Sequence, residues 1–276
     1  MLLLALDSST RQASIALCTE ETLLGEYIWQ VGNNHSVELL ERIQRLVTEC
    51  GVDMPGVEAV AVATGPGSFN GLRVAVATAK TLAFSLSLPL IGVSTLDVIA
   101  AHQQQWHGPL CALLEAGRSE LYAACYTFDA IAEAHLLTYS MRRLSDYLLE
   151  SPQQLALYLA EHVGEWVGVP GKRQLPSILF CGEVSAASRH ALIQELPASS
   201  LFLSPLQTAR RASVLAALAF ERYQSGVLDD PMLLEPLYLR RPSITTSTRK
   251  QPLLGAKTHR SGDVMNTERE EGALQY

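Results

Sequence analysis

The sequence predicts an α/β fold built from two related lobes, each a mixed sheet flanked by helices. Three observations carry that expectation. Short apolar runs of strand length alternate with longer stretches of helical periodicity. The order three strands, helix, strand, helix occurs in about the first hundred residues and again in the second. The hairpins that open the two halves can also be laid over each other. ALDSSTRQASIAL places Asp7 at the end of its first strand, and LLEAGRSELYAA places Glu115 at the matching position. Such a duplication points to two lobes facing across a cleft, at 1–105 and 106–242, followed by a polar tail at 243–276.

The elements follow in order. LLLALDSS and ASIALCTE are apolar runs joined by the polar STRQ, a hairpin signal, and ETLLGEYIW offers a third strand. NNHSVELLERIQRLVTEC spaces Val37, Leu40, Ile43, Val47 and Cys50 as one face of a helix, widened by Leu39 and Leu46 and closed by Gly51. VEAVAVA is a buried strand, too short and too evenly apolar for a helix. A helix from Ser68 to about Leu86, the strand PLIGVS and a helix from about Thr95 complete the first half. In the second half PLCALLEAG, ELYAACYTF and EAHLLTYSM are strands, and SPQQLALYLAEHV is a helix. The strand SILFCGE, the helix AASRHALIQEL, the short LFLS and the long helix ARRASVLAALAFERYQ end it.

Composition excludes several classes. With 48% hydrophobic and 18% charged residues the chain is globular. MLLLALDSS lacks a basic n-region and a cleavage site, which argues against a signal peptide, and no stretch reaches the apolar length of a membrane span. The cysteines, Cys18, Cys50, Cys111, Cys125 and Cys181, form no CxxC, so they read as reduced thiols of a cytoplasmic protein, small core residues without zinc. A formal charge of −7 argues against a free-standing nucleic-acid binder. The exception is local: Arg240 to Arg260 carries six Lys and Arg and no acid, in a polar stretch that reads as a solvated, disordered terminus, with an electrostatic contact to RNA or a partner as the alternative.

The conspicuous motif is GPGSFNGLR at 65–73. It is no Walker A loop, because Leu72 follows Gly71 where lysine is required, and no Gly-x-Ser-x-Gly elbow surrounds Ser68. Ser68 is therefore expected to cap a helix, a contribution of about 1 kcal/mol, while the free amides beyond it leave anion binding open. The helix it launches is apolar on nearly every face, and Gly71, Ala75, Ala79 and Ala83 form a smooth stripe. Because each lobe accounts for its own helices, that stripe is expected to meet a partner. No histidine pair has i,i+3 or i,i+4 spacing, so no helical metal clamp is present. Asp7, Ser8, Ser9 and Thr10 have the chemistry to grip a nucleotide phosphate, and equally that of an ordinary side-chain-bonded turn.

The duplicated order looks like the actin, hexokinase and Hsp70 (ASKHA) superfamily, in which two hairpins grip phosphates from opposite sides. A closer resemblance follows from LALDSST, NHSVELLERI, VEAVAVATGPGSFNGLRVAVATAKTLAF, PLIGVSTLDVIA and EPLYLR, in that order. They resemble the bacterial TsaB (YeaZ-like) family, the dimerisation subunit of the machinery that makes threonylcarbamoyladenosine at position 37 of tRNA. The resemblance covers roughly residues 1–126, with an echo at 231–241.

That resemblance implies a non-catalytic sibling of the TsaD-like transferase, with no cofactor of its own. The relative's metal-binding HxxxH would fall on Thr95 and Ile99 here, and neither can replace an imidazole. It further implies docking of the TsaD-like transferase and a TsaE-like ATPase, with tRNA reached only through the complex, no membrane, and a homodimer when the chain is alone. The partner-binding residues it implies are His35, Ser36, Leu39, Leu40 and Ile43 on the first helix. On the second they are Ser68, Phe69, Gly71, Leu72, Val76 and Ala79. Val37 interrupts the family's His-Ser-Glu, and Asn70 stands where Thr is usual. The alternative from the superfamily is an enzyme, a kinase or a metallopeptidase.

Overall fold

The computed structural model describes residues 1–32, 35–133, 136–166, 168 and 176–240. The basic tail beyond Arg240 lies outside them. The first half runs β1 (Leu3–Asp7), β2 (Gln12–Cys18), β3 (Leu23–Gln30), α1 (His35–Glu49), β4 (Ala59–Gly65), α2 (Phe69–Leu86), β5 (Leu90–Ser94) and α3 (Thr95–Ala101). The second runs β6 (Leu110–Gly117), β7 (Glu120–Glu133), β8 (Leu136–Arg143), β9 (Leu148–Glu150), α4 (Pro152–Trp166), β10 (Ile178–Glu183), α5 (Ala186–Glu195), β11 (Ser200–Phe202) and α6 (Ala212–Gln224).

The duplication expected from the sequence is present in the sheets. The first has the order β3-β2-β1-β4-β5, and the second, read in the matching direction, β8-β7-β6-β10-β11, with β9 added against β7. In each sheet a three-stranded antiparallel meander continues into two parallel strands. Parallel pairing demands a crossover helix, and α2 and α5 stand at equivalent places after β4 and β10. Asp7, the last residue of β1, pairs with Ser14, and Glu115, two residues before the end of β6, pairs with Leu121. This is the duplicated ASKHA-like α/β fold.

Strand alternation divides the core. Leu4, Leu6, Val60 and Val62 point to one face of the first sheet, beneath α1 and α2. Their neighbours Leu3, Ala5, Ala59, Ala61 and Ala63 point to the other, and their small size lets Ala212, Ala216 and Ala219 of α6 pack closely. α6 therefore lies on the first sheet, although a boundary at 105/106 groups it with the second lobe. In the second sheet Cys111, Leu113, Ala123 and Cys125 pack under α4 and α5. Ala112, Leu114, Ala124 and Tyr126 face α3. The cysteines are core residues: Cys18, Cys111, Cys125 and Cys181 are buried and Cys50 half-buried. Burial raises the Cys18 thiol to about 11, which leaves it protonated and unreactive at neutral pH. Among the described residues no helix is long and apolar enough to cross a membrane.

Candidate functional site

The GPGSFNGLR loop is bound by backbone, and its partner is the first hairpin. Ser68 caps α2 by accepting from Gly71 N–H. Its own N–H donates to Ser9 C=O at 2.6 Å, and the Ser8 hydroxyl donates to Gly71 C=O at 2.8 Å. A Cβ at residue 67 would stand 2.2 Å from the Ser9 carbonyl oxygen, and one at 71 would stand 2.0 Å from that of Ser8. The glycines thus serve the approach of α2 to the hairpin rather than the approach of a phosphate. The second lobe makes the same junction with different atoms: Glu115 Oε1 accepts from Ser185 N–H, the cap of α5, at 2.8 Å.

Asp7, Ser8, Ser9 and Thr10, the residues of the nucleotide expectation, are each bonded to other groups of the chain. Asp7 is 1% exposed. Its Oδ1 accepts from Ser9 N–H (2.8 Å) and the Ser9 hydroxyl (2.5 Å), and its Oδ2 from Arg210 Nε (2.9 Å). Ser8 is spent on Gly71. The Thr10 hydroxyl donates to Glu183 Oε1 at 2.9 Å and accepts from Arg210 Nη2 at 2.8 Å. These side chains bond one another and Arg210 as a side-chain-bonded turn does, with Thr10 and Glu183 at the edge of the neighbouring cleft. Beside the network lies a cleft of about 1080 Å³ between the hairpins, lined by Gln12, Ser68, Phe69, Glu115 and Arg189 among others.

The smooth stripe on α2 faces inward. Gly71, Leu72, Ala75, Val76, Ala79 and Ala83 are all buried, packed with the sheet and α1. Leu39 and Ile43 of α1 are buried in the same core. Six residues expected at a partner surface, Leu39, Ile43, Gly71, Leu72, Val76 and Ala79, therefore belong to the chain's own interior. An amphipathic helix laid on a sheet must bury one face, and α2 buries its small-residue face because a helix with little bulk can sit close to β4. Of the other expected contacts, Leu40 (54% exposed), Ser68 and Phe69 are on the surface, and the side chains of His35 and Ser36 lie outside the described ones. The outer face of α2 carries Arg73, Ala77, Thr81 and Phe84, the last 71% exposed. Arg73 lies over the Phe69 ring at 4.2 Å.

Sequence reasoning missed two further features. Arg210, 2% exposed, joins both lobes. The EPLYLR segment is a strap. Lys80 Nζ donates to the carbonyls of Met232 (3.3 Å) and Leu234 (3.0 Å), Leu237 N–H donates to Thr64 C=O (2.8 Å), and Tyr238 packs on Phe69 with ring centres 5.4 Å apart. Arg240 then reaches Ala116 C=O (2.9 Å) and the Glu120 carboxylate on the second hairpin. The chain thus covers part of α2 itself. At the positions matched to the metal-binding histidines, Thr95 and Ile99 are both buried, with Ile99 packed against the second sheet.

Comparison with known proteins agrees with this architecture. A family model described as TsaD, tRNA N6-adenosine threonylcarbamoyltransferase, matches residues 30–246. The tRNA threonylcarbamoyladenosine biosynthesis protein TsaB of Bacillus subtilis is 29% identical over 87% of this chain and 94% of its own length. The protein of the same name from Escherichia coli is 31% identical, over 61% of this chain and 71% of its own length. The solved structure of YeaZ from Pseudomonas aeruginosa superposes with a TM-score of 0.66 at 25% identity, covering 86% of this chain and 99% of that one. With the duplicated sheets, the GPGSF–hairpin junction and these relatives in hand, the chain belongs to the TsaB (YeaZ-like) family.

Proposed function

We propose that this chain is a non-catalytic, partner-binding subunit of the machinery that forms threonylcarbamoyladenosine in tRNA. Its relatives are named for that biosynthesis. The observation that carries the non-catalytic part is α3: Thr95 is 0% exposed and Ile99 is packed in the core, where the transferase relative would present metal-binding histidines. A kinase reading has less support, since Asp7, the carboxylate it would use, is held inside the Ser9–Arg210 network.

The docking face for a TsaD-like transferase is the outer side of α1 and α2, with Leu40, Phe69, Ala77 and Phe84 exposed. Apolar side chains of this kind, flanked by polar neighbours, supply the area that a helix-on-helix contact buries. A TsaE-like ATPase completes the assembly in this reading. The test is reconstitution of the modification from the transferase, the ATPase and tRNA, with and without this chain, reading the modified nucleoside by mass spectrometry. Dependence on the chain is expected; equal product in its absence would sink the reading.

A further inference from the structure

One buried side chain, Arg210, ties the first hairpin to the end of β10 in the second sheet. The Arg210 guanidinium donates four hydrogen bonds: to Asp7 Oδ2 (2.9 Å), to Thr10 Oγ1 (2.8 Å), to Gln12 C=O (2.7 Å) and to Glu183 Oε1. Asp7, Thr10 and Gln12 belong to the first hairpin, and Glu183 ends β10 of the second sheet. The Arg210 N–H adds a fifth tie, to Gln12 Oε1 at 3.0 Å. All the acceptors are oxygens, two of them from carboxylates, the donor set that a hard cation prefers. An isolated guanidinium is costly to bury. Two carboxylates offset that cost here, and Glu183, 36% exposed, leaves the surplus negative charge in contact with water. Only arginine has the flat, multi-donor fork that spans these oxygens at once.

We propose that Asp7, Thr10, Gln12 and Glu183 form a hard-cation site whose resident cation is the chain's own Arg210. The first hairpin and the end of β10 are thereby held together without metal or nucleotide. A metal-bound phosphate would bring its own cation to a site that already holds one, and the buried guanidinium could leave only by exposing two carboxylates to each other. The closure of this lobe pair is then a fixed property of the sequence, which suits a surface that a partner must recognise in one shape.

The test uses the full chain and manganese(II) chloride as the probe. In the wild type, hydrogen exchange of peptides spanning 7–14 and 181–186 should not change when manganese is added. Protection of those peptides by the metal would overturn the proposal. Arg210→Ala should exchange at least roughly tenfold faster in the same peptides, because breaking a buried pair loosens what it joined. It should also bind about one equivalent of manganese by electron paramagnetic resonance, a site lost again in Asp7→Asn/Arg210→Ala. A folded Arg210→Ala that exchanges like the wild type, or takes up no manganese, refutes the assignment. Should the alanine variant not fold, Arg210→Lys retains the charge without the fork. Faster exchange in the two peptides then supports the proposal, and wild-type exchange defeats it.

Discussion

At Gly71 two effects oppose each other, and their sizes decide the outcome. In an exposed helix interior, alanine is favoured over glycine by about 1 kcal/mol. Here, however, the new methyl would meet the Ser8 carbonyl oxygen at 2.0 Å, a contact with backbone that no rotamer can relieve. Gly71→Ala should therefore destabilise the chain by about 1–3 kcal/mol, the range of overpacked cores, measured as a lower urea midpoint. Asp97 tests another kind of local balance. Burial pushes its carboxyl above the ordinary value of 3.8, and the hydroxyls of Tyr126 (2.7 Å) and Tyr147 (3.1 Å), with the charges of Arg143 and Arg222, pull it back only in part. The folded state thus holds this proton more tightly than the unfolded chain. The stability it contributes is full below 3.8 and is lost as pH rises through the raised folded value. Asp97→Asn removes that titration, so the wild type's stability relative to the variant should fall as pH rises above 3.8. Urea unfolding of both proteins across that range checks the sign.

At the scale of the element, α2 separates what packs from what docks. Leu72 and Ala77 lie on the same helix, yet Leu72 is in the core and Ala77 faces outward. Leu72→Glu should unfold the chain or lower its melting temperature strongly, because it buries an unpaired charge. Ala77→Glu should leave melting unchanged and weaken capture of the transferase by at least about tenfold, since it sets a charge in the apolar contact. Equal capture by Ala77→Glu would move the docking face elsewhere. The strands, the helices and the doubling of their order were legible in the sequence because they rest on periodicity, which one chain carries in full. The orientation of α2 was not. A helix apolar on every side has no polar stripe to mark its outer face, and small residues that suit a partner suit a nearby sheet equally well. On α1 the expected stripe was wider than the buried one: Leu39, Ile43, Leu46 and Val47 are buried, while Leu40, counted both in the stripe and at the partner surface, is exposed. Arg210 was hidden because periodicity put it in the first turn of the helix ARRASVLAALAFERYQ, where a charge is ordinarily solvated, whereas the helix begins at Ala212. The strap was hidden because backbone carbonyls and N–H groups do much of its holding, and these leave no mark in the sequence.

At the scale of the whole molecule, three ties between the two sheets among the described residues differ in how deeply they are buried. α3 is shared through its interior: Val98 enters the core of the first sheet, while Leu96, Ile99 and Ala100 enter that of the second. Arg210 ties the first hairpin to the end of β10 at a buried point. The strap is the peripheral tie, fixed at Asp229, whose carboxylate accepts from Gly92 N–H at 2.7 Å, and ending at Arg240 on the β6–β7 turn. Arg240 keeps 24% of its side chain in solvent, so water and salt screen its pairing with Glu120. Removing it should therefore cost little globally while releasing the turn locally. Arg240→Ala is expected to shift overall unfolding by no more than about 1 kcal/mol. Hydrogen exchange at residues 116–121 should nevertheless accelerate, because the carbonyls of Ala116 and Gly117 lose the donor that holds them. Exchange in the first hairpin should stay as it was, since Arg210 holds it independently. If residues 116–121 exchanged no faster in Arg240→Ala, the strap would be a passive covering, and α3 and Arg210 would join the sheets without its help.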